Sequence, residues 1–175
     1  SFGHKLSSAI SELNGATIFT QQVNNPQRFG VACFDEHDNI TSLHEKPKEF
    51  ISNHAITGLY LFDNQVAKFA ANTRPSGRGE LEIMDVLEQY RQQQRLSHTT
   101  LGRGFAWLDA GKAESLLEAG SCIHTIEKMQ GLKIAGLEEL AVSQGWWDKA
   151  TSLQHQANQY QSAYDLYVQQ ILEQM

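Results

Sequence analysis

The sequence contains 175 residues, 41% of them hydrophobic, so the chain is long enough and apolar enough to bury a core. The formal net charge is -6, and lysines and arginines do not cluster, which argues against a surface for nucleic acid. No apolar run approaches the roughly 20 residues of a membrane-spanning helix. We expect a soluble globular protein whose partners include neither nucleic acid nor a membrane.

The two cysteines, Cys33 and Cys122, are isolated from each other, one in a strand-like run and one in a helix-like run. Their separation indicates neither a metal motif nor a disulfide framework. Two buried free thiols in a cytoplasmic protein are therefore the expectation.

The first third of the chain predicts a helix followed by strands. Apolar residues at helical spacing predict a helix over residues 2–13, which Asn14 and Gly15 end. Residues 16–23 form a predicted strand, and the reversal at residues 37–39 predicts a hairpin between residues 31–36 and 40–45.

Glu45 and Lys46 stand where a predicted strand gives way to a loop, because Pro47 has no backbone donor to continue the ladder. The next strand, residues 54–62, contains Gly58, and glycine weakens a strand unless a ligand or backbone must come close. Each residue also has a plainer interpretation. Lys46 would be a solvated surface lysine, and Gly58 would mark a bulge.

The middle of the chain predicts a short helix from an Asn64 cap to residue 71, then a polar loop over residues 74–79. Residues 80–90 predict a helix with Leu81 and Met84 among its inward residues. Short strands are expected over residues 96–101 and 105–108, the second closed by Asp109.

The C-terminal third predicts helices. The first is long and is expected to bury four apolar residues: Leu116, Leu117, Ile123 and Ile126. Further helices are expected over residues 137–142, 146–158 and 161–174. No hexapeptide repeat follows.

Four motifs together resemble one protein family. They are EKP at residues 45–47, ITGLYLFD at 56–63, GRGELEIMD at 77–85 and GRGFAWLDAG at 102–111. In this order the motifs resemble the sugar nucleotidyltransferases, and among them the short-form glucose-1-phosphate thymidylyltransferases. The resemblance implies an α/β fold, a three-layer, Rossmann-like nucleotidyltransferase sheet with C-terminal helices. We expect residues 1–130 to form the sugar-phosphate part and residues 131–175 a helical segment.

One family feature has no counterpart among the 175 residues, the glycine-rich nucleotide loop with its following lysine. The family also carries a metal-binding aspartate just before the segment that Phe2 and Gly3 match. The resemblance therefore implies the C-terminal part of a longer enzyme, lacking the N-terminal nucleotide-binding units. We expect such a chain to have little or no transferase activity alone.

The resemblance also implies site residues. Lys46 and Arg78 would act on the sugar phosphate, and Asp109 would hold Mg²⁺, although an aspartate at this position also fits an ordinary helix cap. Together with Lys46 and Arg78, the expected substrate-binding residues are Phe29, Gly30, Glu45, Ile56, Thr57, Gly58, Tyr60, Glu80 and Trp107.

The implied reaction joins dTTP and glucose 1-phosphate to give dTDP-glucose and pyrophosphate. Thymidylyltransferases of this type are tetramers, so the resemblance implies a homo-oligomer. Four residues match positions near a family site for inhibition by the end-product sugar nucleotide: Phe2, Gly3, Arg103 and Glu139. Regulation by dTDP-rhamnose is one interpretation, and Arg103 as an ordinary surface arginine is the other.

Two other functions remain open on the sequence. The first is a nucleotidyltransferase for another nucleoside triphosphate or another hexose 1-phosphate. The second is a non-catalytic module for sugar-nucleotide binding and oligomerisation. Loss of the glycine-rich loop favours the second function, whereas retention of Glu45, Lys46, Arg78 and Asp109 favours descent from an enzyme.

Overall fold

The structure is a computed structural model that describes residues 2–77, 79–150 and 162–174. The chain divides into two compact units, Ser1–Trp107 and Leu108–Met175. The predicted domain boundary after residue 130 stays a prediction. Arg78 and most of the predicted helix over residues 146–158 lie outside the described residues.

The first unit contains a five-stranded sheet, with one helix before its first strand and two helices between its fourth and fifth strands along the chain. Its elements are α1 (Phe2–Ser11), β1 (Ala16–Gln22), a 3-10 turn (Pro26–Arg28), β2 (Gly30–Phe34), β3 (Ile40–Glu45), β4 (His54–Phe62), α2 (Val66–Ala71), α3 (Ile83–Gln92) and β5 (Leu96–Thr100).

The sheet is mixed and has the order β3-β2-β4-β1-β5. β1 and β5 run parallel, while the other neighbouring pairs are antiparallel. The predicted hairpin of β2 and β3 is confirmed. The sheet is curled, so that its edge strands β3 and β5 come into contact. At this contact His98 of β5 donates a 3.0 Å hydrogen bond from Nε2 to the backbone oxygen of Asp38 in the β2–β3 turn.

Helices cover both faces of this sheet. On one face Ala9 of α1 packs with Phe19 and Leu101, and on the other Leu87 of α3 packs with Ile18. α2 joins α3 on the second face. Because side chains alternate along a strand, neighbouring residues of β1 supply both cores. The predicted three-layer α/β arrangement is confirmed in this unit.

Three local predictions in the first unit were wrong. Residues 105–108 form no strand, since Gly102 and Gly104 adopt left-handed φ angles of 79° and 88° that turn the chain out of the extended path. Leu81 precedes α3 and is 66% exposed. The N-cap of α2 is Gln65 rather than Asn64. Asp63 closes the turn before it, since Asp63 Oδ1 accepts the Gln65 backbone N–H at 2.9 Å.

The second unit contains three described helices, α4 (Ala113–Gln130), α5 (Leu137–Ser143) and α6 (Ala163–Gln174). Burial of the apolar stripe on α4 was predicted wrongly, since Leu116, Leu117 and Ile123 are 58%, 73% and 37% exposed. α5 and α6 pack on each other, and Ala119 is the buried residue of α4.

Two further findings concern the described residues. No helix among them is both long enough and apolar enough to cross a membrane. Cys33 and Cys122 are free thiols, and both are half-buried rather than fully buried.

Candidate active site

The end of β3 places Glu45 and Lys46 beside the start of β2. Gly30 is the register partner of Glu45. The Lys46 backbone N–H donates to the Phe29 carbonyl at 3.1 Å, which extends the pairing by one residue. Lys46 then takes a left-handed φ of 44°, so the chain turns sharply after this contact. The hairpin therefore fixes both side chains at one end of the sheet.

Gly30 makes room for the Glu45 carboxylate. A Cβ at position 30 would lie 3.1 Å from Glu45 Oε2 and 3.3 Å from Met84 Cε. The absence of a side chain therefore lets Glu45 and Met84 approach the backbone of β2.

A cleft of about 410 Å³ opens at this end of the sheet. Lys46 lines it with its side chain half exposed, and the Lys46 ammonium lies 3.7 Å from Glu45 Oε1. Among the described lining residues Lys46 is the only base, against four carboxylates. The described lining residues are Leu43, Glu45, Lys46, Ser76, Gly77, Glu82, Met84, Asp85 and Glu88.

Three of these carboxylates were missed by the sequence analysis. Glu82 is the N-cap residue of α3, and Asp85 and Glu88, three residues apart, lie on one side of the helix. Ser76 Oγ donates to Glu82 Oε1 at 2.9 Å. The hydrogen bond from Arg91 is the main cause that lowers the pKa of Glu88. The i, i+3 spacing was the available signal, although it does not tell which surface the helix faces.

Tyr60 of β4 is influenced by the same site. Burial is the larger cause that raises the pKa of its phenol, and the nearby charge of Glu45 raises it further. Tyr60 therefore keeps its proton at neutral pH and can donate a hydrogen bond.

An aromatic support lies beside the bulge in β4. Trp107 Nε1 donates to the Thr57 carbonyl at 3.2 Å, and Thr57 Oγ1 donates to the Phe19 carbonyl at 3.0 Å. The Phe29 and Trp107 rings meet edge to face at 4.7 Å. Gly58 sits inside this bulge with a φ of 79°, and its part in substrate binding stays a prediction.

Not every expected substrate residue reaches an open surface. The Ile56 side chain is 6% exposed and belongs to the core with Ile18 and Leu87, which leaves only its backbone to face a ligand. Glu80 is exposed and its carbonyl accepts the Ser76 N–H at 2.8 Å. Arg78 lies outside the described residues.

Asp109 belongs to the second unit and is half-buried. Its Oδ1 accepts the Gly111 backbone N–H at 2.9 Å, while the cap residue of α4 is Lys112. No group of three or more His, Cys, Asp or Glu side chains in the described chain could hold a metal by itself. A single carboxylate nevertheless suits Mg²⁺, which commonly takes one or two carboxylates and completes its shell with substrate phosphates and water.

The four expected regulatory residues are split between the units. Phe2 packs its ring 6.3 Å from Phe19, Gly3 follows it on α1, and Arg103 is exposed in the first unit. Glu139 lies on α5 in the second unit, where Tyr167 donates to its Oε2 at 2.9 Å. Their regulatory role stays a prediction.

Known proteins resemble this chain over most of its length. A glucose-1-phosphate thymidylyltransferase of Neisseria meningitidis is 49% identical over 146 residues, 83% of this chain and 51% of the relative. One from Mycobacterium tuberculosis is 40% identical over 164 residues, 94% of this chain and 57% of the relative. The chain spans about half the length of the curated relatives it matches.

A solved structure supports the same relationship. The crystal structure of a proposed glucose-1-phosphate thymidylyltransferase from Bacillus anthracis, in complex with a sucrose, superposes with a TM-score of 0.59. It is 36% identical, and the match covers 67% of this chain and 46% of that one. The nucleotidyl transferase family matches residues 2–125. The chain belongs to the nucleotidyl transferase family.

Proposed function

We propose that this chain supplies the hexose 1-phosphate part of a glucose-1-phosphate thymidylyltransferase site. The observation that carries the proposal is the cleft at the end of β3, where Glu45 and Lys46 are held by pairing with Gly30 and Phe29. The identities of 40–49% to thymidylyltransferases support the choice of reaction. The substrates would be dTTP and glucose 1-phosphate, and the products dTDP-glucose and pyrophosphate.

The protein's contribution to this reaction is positioning and charge neutralisation, because phosphoryl-type transfer leaves little covalent chemistry for side chains. The Lys46 ammonium offsets the negative charge of the sugar phosphate, whose oxygen attacks the α-phosphorus of dTTP in line. Glu45 accepts hydrogen bonds from sugar hydroxyls, and the protonated Tyr60 phenol donates one.

The proposal extends to Mg²⁺ at Asp109. A bound Mg²⁺ would neutralise charge on phosphate oxygens, and Asp109 offers the carboxylate oxygen that this ion prefers. The proposal also includes a homo-oligomer in the cytoplasm, which the family resemblance of the sequence motifs implies. Alone, the 175-residue chain turns over little or no substrate, because it carries no glycine-rich nucleotide loop.

Calorimetric titration of the purified chain with glucose 1-phosphate tests the proposal. Saturable binding is expected, and Lys46→Ala should weaken it about tenfold or more because a hydrogen-bonded charge pair is lost. Lys68→Ala on α2 is the matched control, since Lys68 is also an exposed lysine and does not line the cleft. Equal binding by the Lys46 and Lys68 variants would refute the assignment of the site.

A second titration separates the enzyme from a pure sugar-nucleotide binding module. Binding of dTDP-glucose but not of glucose 1-phosphate would favour the module. Turnover of dTTP and glucose 1-phosphate at ordinary enzyme rates would contradict the expected inactivity of the isolated chain.

A further inference from the structure

The loop after Lys46 is fixed at its two ends and free between them. Lys46 is anchored by the Phe29 carbonyl, and Ser52 Oγ donates to the Ala32 carbonyl at 2.6 Å while accepting the His54 N–H at 3.2 Å. Residues 47–51, here named the strap, make no hydrogen bond or ion pair with any residue of the described chain. The strap is therefore held at both ends, and no hydrogen bond or ion pair with the described chain holds its middle in place.

The strap exposes apolar side chains next to a polar cleft. Phe50 is 67% exposed and Ile51 is 44% exposed. An exposed phenyl ring leaves apolar area in water that a partner could cover at about 25 cal/mol per Å². The C–H face of a hexose ring is a partner of matching size and character for an aromatic side chain.

The excess of negative charge in the cleft favours a second basic side chain, which the strap could supply. Its described lining carries four carboxylates and Lys46 as its only base, an unfavourable surrounding for a phosphate dianion. Lys48 is exposed and lies two residues beyond Lys46. In a five-residue segment held at both ends, the middle residue lies about two and a half residues from each end. At about 3.4 Å per extended residue, it can move by about 8 Å.

We propose that the strap closes over the cleft when a hexose 1-phosphate binds, with Lys48 pairing with the phosphate and Phe50 covering the apolar face of the sugar. The structure has the strap in an open position, because none of its residues lines the cleft. The ring of Pro47 locks its φ and keeps this end of the strap fixed, so the closing movement falls on the residues that follow. This inference rests on the proposed function and adds two ligand-binding residues to it.

Calorimetry with glucose 1-phosphate tests the two strap residues against matched controls. Lys48→Gln and Phe50→Ala should each raise Kd by about three- to tenfold, as expected for one exposed charge pair and one aromatic contact. Lys68→Gln and Ile10→Ala alter an exposed lysine and a 55% exposed apolar residue outside the strap, and they should leave Kd unchanged. Circular dichroism checks that all four variants fold.

Limited proteolysis follows the movement itself. Chymotrypsin should cut the Phe50–Ile51 bond in the free chain, and saturating glucose 1-phosphate should slow this cut several-fold while cuts elsewhere keep their rates. If the wild-type chain binds glucose 1-phosphate but the strap variants keep its Kd, or if the ligand does not slow cleavage at Phe50, the proposed closure of the strap is overturned and the proposed function is not. Absence of binding by the folded wild-type chain would overturn the proposed function and the strap with it.

Discussion

Replacing Gly30 by alanine separates the role of this residue in binding from its role in stability. The new Cβ would lie 3.1 Å from Glu45 Oε2 and 3.3 Å from Met84 Cε, about 0.3 Å and 0.1 Å inside ordinary van der Waals contact. Both neighbours are the ends of flexible side chains, so they can move at a cost of about 1 kcal/mol. Alanine regains about 0.5–1 kcal/mol over glycine in a strand. The free energy of unfolding should therefore change by less than about 1 kcal/mol.

Ligand binding should change much more than stability. The atom closest to the new Cβ is a carboxylate oxygen of Glu45, which is proposed to accept hydrogen bonds from the sugar. We expect Gly30→Ala to weaken glucose 1-phosphate binding about tenfold, the loss of one hydrogen bond to a charged group. Urea unfolding and calorimetry measure the two quantities. Gly120→Ala on α4 is the control, since a Cβ there has nothing within 4 Å. A loss of more than about 2 kcal/mol in stability, or unaltered binding, would refute the reasoning.

Three further predictions concern stability and can be measured by urea unfolding. Leu87→Ala should cost about 3 kcal/mol because Leu87 is fully buried, whereas Leu81→Ala at a 66% exposed site should cost less than about 0.5 kcal/mol; equal losses would contradict the packing of α3. Gly15→Ala should lower the free energy of unfolding more than Gly58→Ala does. Both residues have a left-handed φ, which destabilises alanine by about 1–2 kcal/mol. Only at Gly15 would the new Cβ also meet a backbone oxygen, that of Arg95, at 2.4 Å. Burial lowers the pKa of His54, so as the pH falls the unfolded chain takes up the proton before the folded chain does. The free energy of unfolding should therefore decrease from about pH 6.5 downward until the folded-state pKa is passed. His54→Gln should flatten this decrease, and an unchanged slope would remove His54 as its cause.

The sequence predicted the parts of the fold that depend on neighbours along the chain. β4 was predicted with the bounds that it has, because β-branched and aromatic residues run from His54 to Phe62 between turn signals. The hairpin of β2 and β3 was also predicted from local information, but the pairing of Gly30 with Glu45 was not, because the register shifts between Cys33 and Phe34. These local signals placed Glu45 and Lys46 at the end of a strand, whereas their expected role came from the family resemblance and stays a prediction.

The parts that were missed depend on packing between distant segments. The carboxylates of Glu82, Asp85 and Glu88 reach the cleft because α3 lies over the β2–β3 hairpin, and helical spacing does not say which neighbour a polar face meets. Residues 105–108 have the composition of a strand, yet the left-handed glycines before them and the hydrogen bond of Trp107 to Thr57 give the chain another path. Tertiary contacts overrode local propensity at residues 105–108, and they decided which surface the carboxylates of α3 face.

The backbone at Lys46 favours one of the two interpretations of this lysine, whose role stays a prediction. A left-handed φ costs a residue with a Cβ about 1 kcal/mol, and glycine, or to a lesser extent asparagine, avoids most of that cost. A turn that served only to leave β3 would therefore favour one of those residues. Lysine gains nothing from the turn, and its ammonium is half exposed with a single described carboxylate, Glu45, at 3.7 Å. The strain at this position supports the proposed role of Lys46 in the cleft, where it is the one described base beside four carboxylates.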